Sequence, residues 1–317
     1  MEKTELKNIV ILATGGTIAG KASSGTQMTG YTAGAYSVAD LLAGVPELGE
    51  LAHISGEQLC NIDSSSLTDA LLLRLAQRCN ELLAQEDVDG VVITHGTDTM
   101  EETAFFLNLT VKSAKPVVLV GAMRPATAVS ADGPLNIINA VKVAVDAASA
   151  GQGVLVMMND EIYSGRDVTK TNTANVATFK ALNGGPLGFI VGGEVHYRSM
   201  RPHTLQSEFD VTGVTALPRV DIIYTHIGED RVFVDAALAA GARGLIYAGS
   251  GMGSIHEAVE AALAEAVSRG VVVVRSSRTG SGIVAAGLER WQEQGFLYAD
   301  NLNPQKARLL LQLALLR

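Results

Sequence analysis

The sequence has few of the features that mark several classes of protein. It contains only two cysteines, Cys60 and Cys79, which could form at most one disulfide and no paired-cysteine metal motif. Aromatic residues make up 5% of the chain. No apolar run reaches the ~18 residues that a membrane-spanning helix needs. These absences exclude a disulfide scaffold and predict neither a metal site nor a membrane partner.

Basic residues are also in deficit. The chain has 24 Lys and Arg against 33 Asp and Glu, which gives a formal net charge of −9. Because an acidic surface repels a phosphate backbone, we expect no nucleic-acid partner. Apolar residues make up 47% of the chain and charged residues 18%, a balance that favours a folded core over disorder.

Glycine is abundant, by contrast. The chain has 33 glycines in 317 residues, where average usage of about 7% predicts roughly 22. This excess indicates many tight turns. A length of 317 residues favours two domains.

Short apolar runs alternate with helical patterns in the first two thirds of the chain. Strands are predicted at 8–13, 90–94, 116–120 and 153–158, and helices at 67–84, 99–109 and 134–148. The first of these helices carries apolar residues at every fourth position, Leu67, Leu71, Leu75, Cys79 and Leu83. Continuous Val, Ile and Leu runs are typical of parallel strands covered on both faces.

The pattern of apolar residues then changes. A hairpin is predicted around Gly192 and Gly193, and a second strand–helix alternation begins at residue 220 and ends in a helix after Asn303 and Pro304. We therefore expect an α/β protein with a large N-terminal doubly wound sheet domain, 1–198, a linker, 199–218, and a smaller C-terminal α/β domain, 219–317.

Two segments have the same sequence pattern, which is typical of a ligand-binding turn. The runs ending at Ala13 and Thr94 are each followed by glycine and then by a hydroxyl, on Thr17 and Thr97. Ligands of open α/β sheets bind at the carboxyl ends of strands, and a threonine there can be a nucleophile if a base takes its proton. Each segment could equally be a plain turn, and Thr97, Asp98 and Thr99 could cap the following helix.

An ordered set of motifs makes the sequence similar to the bacterial-type L-asparaginase family, and within it to the type II enzymes. The motifs are ATGGTIAG (13–20), ITHGTDTMEETA (93–104), GAMRP (121–125), SADGP (130–134), GRDVTKTN (165–172), VRSSR (274–278) and LNPQKAR (302–308). The likeness extends in order from about residue 8 to residue 315.

The resemblance implies hydrolysis of asparagine to aspartate and ammonia without a cofactor or metal. It implies that Thr17 is the nucleophile, that Tyr31 contacts it, and that Thr97, Asp98 and Lys170 form a second catalytic group. A lysine is a base only when it is neutral, and the neighbouring Asp98 carboxylate favours its charged form. Residue types therefore leave open which group takes the first proton. Oxyanion stabilisation is expected from backbone N–H groups of the glycine turns.

The resemblance also implies a substrate-binding set. Ser64 corresponds to the family serine that holds the α-carboxylate, Asp98 can bind the α-ammonium, and Ala122 offers a backbone carbonyl to the leaving amide. Glu289 corresponds to an acidic residue that reaches the substrate from a neighbouring subunit. The full predicted set is Gly16, Ser64, Ser65, Thr97, Asp98, Ala122 and Glu289.

Two positions depart from the family pattern. Met252 stands where many relatives carry asparagine, and Ser65 where many carry glutamine or glutamate. Both changes leave the preference between asparagine and glutamine open, so a dual glutaminase-asparaginase is the first alternative. More remote alternatives are a non-catalytic amino-acid binding protein and an amidase acting on a charged tRNA.

Assembly and location are implied only by the resemblance. It implies a homotetramer, a dimer of dimers with active sites between subunits. It also implies a periplasmic location, whereas the apolar run at 9–13 is too short for a secretory signal, so a complete chain would be cytoplasmic.

Overall fold

The computed structural model describes residues 5–200 and 208–317. It divides into two compact units, Met1–Gly213 and Val214–Arg317. The predicted linker, 199–218, spans the boundary between the units, and its residues 201–207 lie outside the described residues.

The first unit contains an eight-stranded sheet and a two-stranded ribbon. Its strands are β1 Asn8–Gly15, β2 His53–Ile62, β3 Gly90–Thr94, β4 Val117–Val120, β5 Val154–Met158, β6 Glu161–Ser164, β7 Thr169–Lys170, β8 Phe179–Lys180, β9 Gly188–Val191 and β10 Glu194–Tyr197. Its helices are α1 Val38–Ala43, α2 Leu48–Leu51, α3 Asp69–Leu83, α4 Met100–Thr110 and α5 Gly133–Val145, with short 3-10 helices at Thr17–Ala19, Ser64–Ser66 and Ala147–Ser149.

The strand order of the large sheet creates a switch point. The order is β10-β9-β6-β5-β4-β3-β1-β2, and the strands from β5 to β2 are parallel. From β1 the chain crosses to β2 on one side, whereas β3, β4 and β5 follow in turn on the other. In such sheets the loops after the two strands at the reversal diverge and leave a crevice at their carboxyl ends. That crevice lies after β1 and β3.

Helices cover the large sheet on both faces. Ile9 and Ile11 of β1 share a core cluster with Ile137 and Ala140 of α5. Successive strand side chains face opposite ways, and Leu12 on the other face is buried as well. Helices α3 and α4 pack against β3 and β5. Because both faces are covered, β3, β4 and β5 are buried throughout, which explains their continuous apolar sequences.

The predicted α/β class with a large N-terminal doubly wound sheet domain is confirmed, and so are the four predicted strands. Strand β2 was not predicted. It lies at the edge of the sheet, and most of its side chains are partly or fully exposed. An edge strand exposed in this way needs no apolar run, so its sequence carries no strand signal.

The predicted apolar stripe on α3 is wrong in part. Leu67 precedes the helix, which begins at Asp69, and Leu71 is only half-buried. A spacing of four residues advances by 400°, so it drifts about 40° per step around a helix of 3.6 residues per turn. The buried face instead follows mixed three- and four-residue spacings, through Leu72, Leu75, Ala76, Cys79, Leu82 and Leu83.

The second unit is a parallel four-stranded sheet in the order β11-β12-β13-β14. Its strands are β11 Val220–Tyr224, β12 Gly244–Gly249, β13 Val272–Ser277 and β14 Leu297–Tyr298, and its helices are α6 Val232–Ala239, α7 Glu257–Ser268, α8 Glu289–Glu293 and α9 Pro304–Ala314. Asn303 caps α9 through its side chain, and Pro304 is the first helical residue, as predicted.

Candidate active site

The turns that follow β1 and β3 meet at the switch point. Gly16 has a φ of 80°, and a Cβ atom built on it would lie 2.3 Å from the Cα of Gly96 and 2.4 Å from its N. Only glycine combines this backbone conformation with so close an approach. The contact places Thr17 and Thr97, the next residue in each turn, at the same end of the sheet.

Ser64 joins this cluster from the segment after β2. A Cβ atom on Gly96 would lie 2.6 Å from the Ser64 Oγ, so the hydroxyl faces the Gly96 backbone. The Ser64 side chain is 3% exposed, and its Oγ has no hydrogen-bond partner among the described residues. Leaving a buried hydroxyl unpaired costs about 1–3 kcal/mol. An unpaired hydroxyl beside the strand-end crevice is a candidate contact for a ligand oxygen.

Thr17 is paired with Tyr31. The Thr17 Oγ1 and the Tyr31 Oη lie 2.7 Å apart, and both side chains are partly buried. The segment that carries Tyr31 is fixed at its base by paired backbone bonds between Lys21 and Thr32. The Thr17 hydroxyl is therefore hydrogen-bonded to a second hydroxyl, which the loop containing Tyr31 provides.

Lys170 brings Thr97 and Asp98 into a second group. Its Nζ donates to the Thr97 Oγ1 at 2.9 Å and to the Asp98 Oδ1 at 2.6 Å. The Lys170 side chain is 16% exposed and that of Asp98 58% exposed. The ammonium is thus largely withdrawn from solvent, whereas the carboxylate keeps an open side that could receive a cation.

Two further residues support the site, and the sequence singled out neither of them for this role. Glu101, which is 3% exposed, accepts hydrogen bonds from the Lys170 backbone N at 2.5 Å and from the Thr169 hydroxyl. Thr99 was expected to contribute to a helix cap. Although it occupies the N-cap position of α4, its side chain makes no cap bond and donates to the Ser64 carbonyl at 2.9 Å. That correction follows from the nearby Ser64 turn, whose carbonyl takes the hydroxyl.

His95 lies beside the site as a neutral side chain. It is fully buried, with its Nδ1 2.7 Å from the Gly96 carbonyl and its Nε2 3.0 Å from the Thr103 Oγ1. Burial lowers the pKa of His95 to about 4. At neutral pH the ring therefore carries no charge and acts as a packed support for the β3 turn.

The remaining predicted residues are more scattered. Ala122 is fully buried just after β4, and Ser65 is exposed, with its hydroxyl donated to Asp63 at 3.1 Å. Glu289 and Met252 belong to the second unit, and both are exposed.

The expected oxyanion role of the glycine turns needs one correction. The Gly16 N–H donates to the Ile62 carbonyl at 2.9 Å. This donor is used to close the turn against the end of β2, so it cannot serve an oxyanion.

Three further observations concern the described residues, 5–200 and 208–317. Cys60 and Cys79 are both free thiols. Within these residues no group of three or more His, Cys, Asp or Glu side chains could hold a metal ion. No helix in the same parts of the chain is long and apolar enough to span a membrane.

Both units match family models. Residues 8–203 match the model described as asparaginase, N-terminal, and residues 219–317 match the one described as glutaminase/asparaginase C-terminal domain. The two matches together cover nearly the whole chain. The protein thus has a mixed α/β fold and is a hydrolase acting on amide C–N bonds. It belongs to the asparaginase family.

Individual relatives agree with this membership. An L-asparaginase 2 of Bacillus subtilis is 52% identical, with 99% of this chain and 84% of the relative covered. A glutaminase-asparaginase of Pseudomonas fluorescens is 47% identical, with 99% and 87% covered. The crystal structure of a probable cytoplasmic L-asparaginase from Campylobacter jejuni is 50% identical with a TM-score of 0.95, and the match covers 98% of this chain and 95% of that one.

Proposed function

We propose that this chain hydrolyses the side-chain amide of L-asparagine through an acyl-enzyme on Thr17. The Thr17 Oγ attacks the amide carbon, the C–N bond breaks, and ammonia leaves with the proton that the hydroxyl has lost. Water then attacks the aspartyl ester, which releases L-aspartate and restores the hydroxyl. The asparaginase relatives and the strand-end position of Thr17 support this reaction.

The two hydrogen-bonded groups divide the proton transfers between them. The Tyr31 oxygen lies 2.7 Å from the Thr17 Oγ1, so we assign it as the partner of the nucleophile. Lys170, with Thr97 and Asp98, is assigned to the leaving amide, which needs a proton to depart as ammonia. Both assignments rest on hydrogen-bond contacts, the first requirement for proton transfer.

The main support for asparagine as the substrate is the buried, unpaired Oγ of Ser64. We assign it to the α-carboxylate of asparagine, which would supply the missing acceptor. We assign the open side of the Asp98 carboxylate to the α-ammonium. A free amino acid offers both charges, whereas an asparagine within a peptide offers neither, so this pair selects the free amino acid.

Glutamine is a second candidate substrate. Relatives named glutaminase-asparaginase are 45–47% identical to this chain. Ser65, beside the proposed carboxylate site, is short, and its hydroxyl turns back to Asp63. One extra methylene is usually worth only about 1–3 kcal/mol of discrimination. We therefore expect measurable but weaker hydrolysis of glutamine.

A homotetramer is proposed from the family pattern together with an apolar surface on the second unit. Large apolar side chains are exposed on β11, in the loop after it and at the start of α6, namely Ile222, Tyr224, Ile227, Val232 and Phe233. Clustered exposure of this kind marks protein–protein contacts. In a tetramer, Glu289 is assigned to the substrate of a neighbouring subunit.

Ammonia release by Thr17→Ala tests the nucleophile. We expect no turnover of asparagine or glutamine by this variant. Thr26→Ala should keep wild-type rates, because Thr26 is exposed and, among the described residues, its hydroxyl hydrogen-bonds to Ser24 alone. Ammonia release by Thr17→Ala at the wild-type rate would overturn the assignment. Wild-type protein that binds aspartate and releases no ammonia from either amide would instead indicate a binding protein.

A further inference from the structure

We infer that Glu101 is a positioning residue for Lys170, a role that rests on the catalytic role proposed for that lysine. Its Oε2 receives two donors from adjacent residues, the Lys170 backbone N at 2.5 Å and the Thr169 hydroxyl. The carboxylate is 3% exposed and lies in the first turn of α4. A buried carboxylate with two donors on one oxygen fixes the backbone that carries Lys170.

The location of Glu101 couples both ends of the lysine. The side-chain partners of Lys170, Thr97 and Asp98, immediately precede α4, and the backbone anchor is in the first turn of that helix. Helix α4 and its N-terminal turn therefore hold Lys170 at its backbone and at its Nζ. A shift of the two-residue strand β7 against α4 would pull the Nζ away from both partners.

A second contact shows that the segment before Lys170 is laid against the same helix. A Cβ atom on Gly165 would lie 2.8 Å from the Ala104 carbonyl of α4 and 3.0 Å from the Val154 carbonyl of β5. The segment leaves the sheet at Gly165, one turn along α4 from Glu101. Strand β7 pairs with β8, and the ribbon continues with a backbone bond from Thr171 to Thr178, so the Glu101 bonds are what ties this ribbon to α4 next to Lys170.

Removing the anchor should lower turnover more than binding. A misplacement of about 1 Å at a reacting group can cost on the order of 10²-fold in rate. We expect Glu101→Ala to lower kcat by about 30- to 100-fold with KM for asparagine within threefold, because the proposed substrate-binding residues Ser64 and Asp98 belong to other segments than β7. Glu101→Gln should retain kcat within fivefold, since its amide oxygen can accept both hydrogen bonds.

The experiment compares ammonia release by Glu101→Ala, Glu101→Gln and Thr169→Val, each checked for a native circular dichroism spectrum and melting temperature. Thr169→Val removes one of the two donors, keeps the side-chain size, and should lower kcat by about 3- to 10-fold. Glu102→Gln, the next acidic residue of the same helix turn, is the matched control and should keep wild-type kcat. If Glu101→Ala fails to fold, the kcat of Thr169→Val decides the test, and a wild-type kcat in that variant would overturn the inference.

A double variant separates positioning from a general structural effect. If Glu101 acts through Lys170, adding Glu101→Ala to Lys170→Ala should not lower the residual rate further. Wild-type kcat in both Glu101→Ala and Thr169→Val would overturn the inference, as would fully additive losses in the double variant. A fully active Lys170→Ala would overturn the proposed role of the lysine instead, so the two failures are distinguishable.

Discussion

The contact between Gly16 and Gly96 should be the least replaceable packing feature of the site. In Gly16→Ala the new methyl group would meet the Gly96 backbone at 2.3 Å, and the residue would keep a φ of 80°. With a ψ of −172° the backbone lies in a region that essentially only glycine adopts, which costs another residue about 1–3 kcal/mol, and overpacking adds about 1–3 kcal/mol. We expect a total loss of about 2–6 kcal/mol of stability.

Gly151→Ala is the matched control. Gly151 belongs to the same unit, has a φ of 72°, and would place its Cβ with no heavy atom within 4 Å. It should lose only the conformational cost of about 1–2 kcal/mol. At about 2–4 °C per kcal/mol for a domain of this size, Gly16→Ala should melt roughly 2–12 °C below the control.

Differential scanning calorimetry and ammonia release measure the two consequences together. Because Thr17 follows Gly16 directly, a displacement of about 1 Å should lower kcat/KM by on the order of 10²-fold. The control should keep wild-type kcat/KM. Equal melting temperatures for the two variants, with full activity in Gly16→Ala, would refute the packing argument.

Two further predictions concern the groups that support the site. Thr99→Val removes the hydroxyl that donates to the Ser64 carbonyl. In steady-state kinetics, KM for asparagine should therefore rise about 3- to 10-fold with little change in kcat. A changed kcat with a constant KM would contradict this prediction. Burial lowers the pKa of His95 from 6.5 to about 4. Above pH 6.5 the ring is neutral in both the folded and the unfolded state, and the protein keeps its full stability. As the pH falls towards 4 the unfolded state takes up a proton that the folded state does not, so the free energy of unfolding decreases. Between pH 7.5 and pH 4.5, urea unfolding of the wild type should lose about 2–3 kcal/mol more than that of His95→Gln. Parallel pH dependences of the two proteins would show that this linkage is wrong.

The sequence predicts the parts of the fold whose burial leaves an uninterrupted apolar run. Strands β3, β4 and β5 are readable because helices cover both of their faces. Strand β2 is not, because an edge strand with exposed side chains can consist largely of polar residues. The sequence pattern therefore predicts the strands that are buried on both faces and misses the exposed edge strand.

The glycine excess has a more specific meaning in the structure than in the sequence. From the sequence, glycine at strand ends indicates backbone that approaches a ligand. In the structure, the space a Cβ would fill at Gly16 is taken by Gly96, and the corresponding space at Gly96 is taken by Ser64. These two glycines allow the turns to pack on each other, which brings Thr17, Thr97 and Ser64 to one place.

The supporting residues could not be found from spacing. Glu101 reads as an ordinary acidic residue in the first turn of a helix, which the helix dipole alone would explain. Its contact with Lys170 joins positions 69 residues apart in the chain. Local patterns carry no information on such a pair, so only the folded arrangement reveals it.

The central claim is that Thr17 carries the aspartyl group during turnover. Acid quenching during the first turnovers with asparagine, followed by digestion and mass spectrometry, tests it directly. We expect the peptide containing Thr17 to gain the mass of one aspartyl residue, and the modification to disappear as substrate is exhausted. An aspartyl group found on another residue, or full turnover by Thr17→Ala, would contradict it.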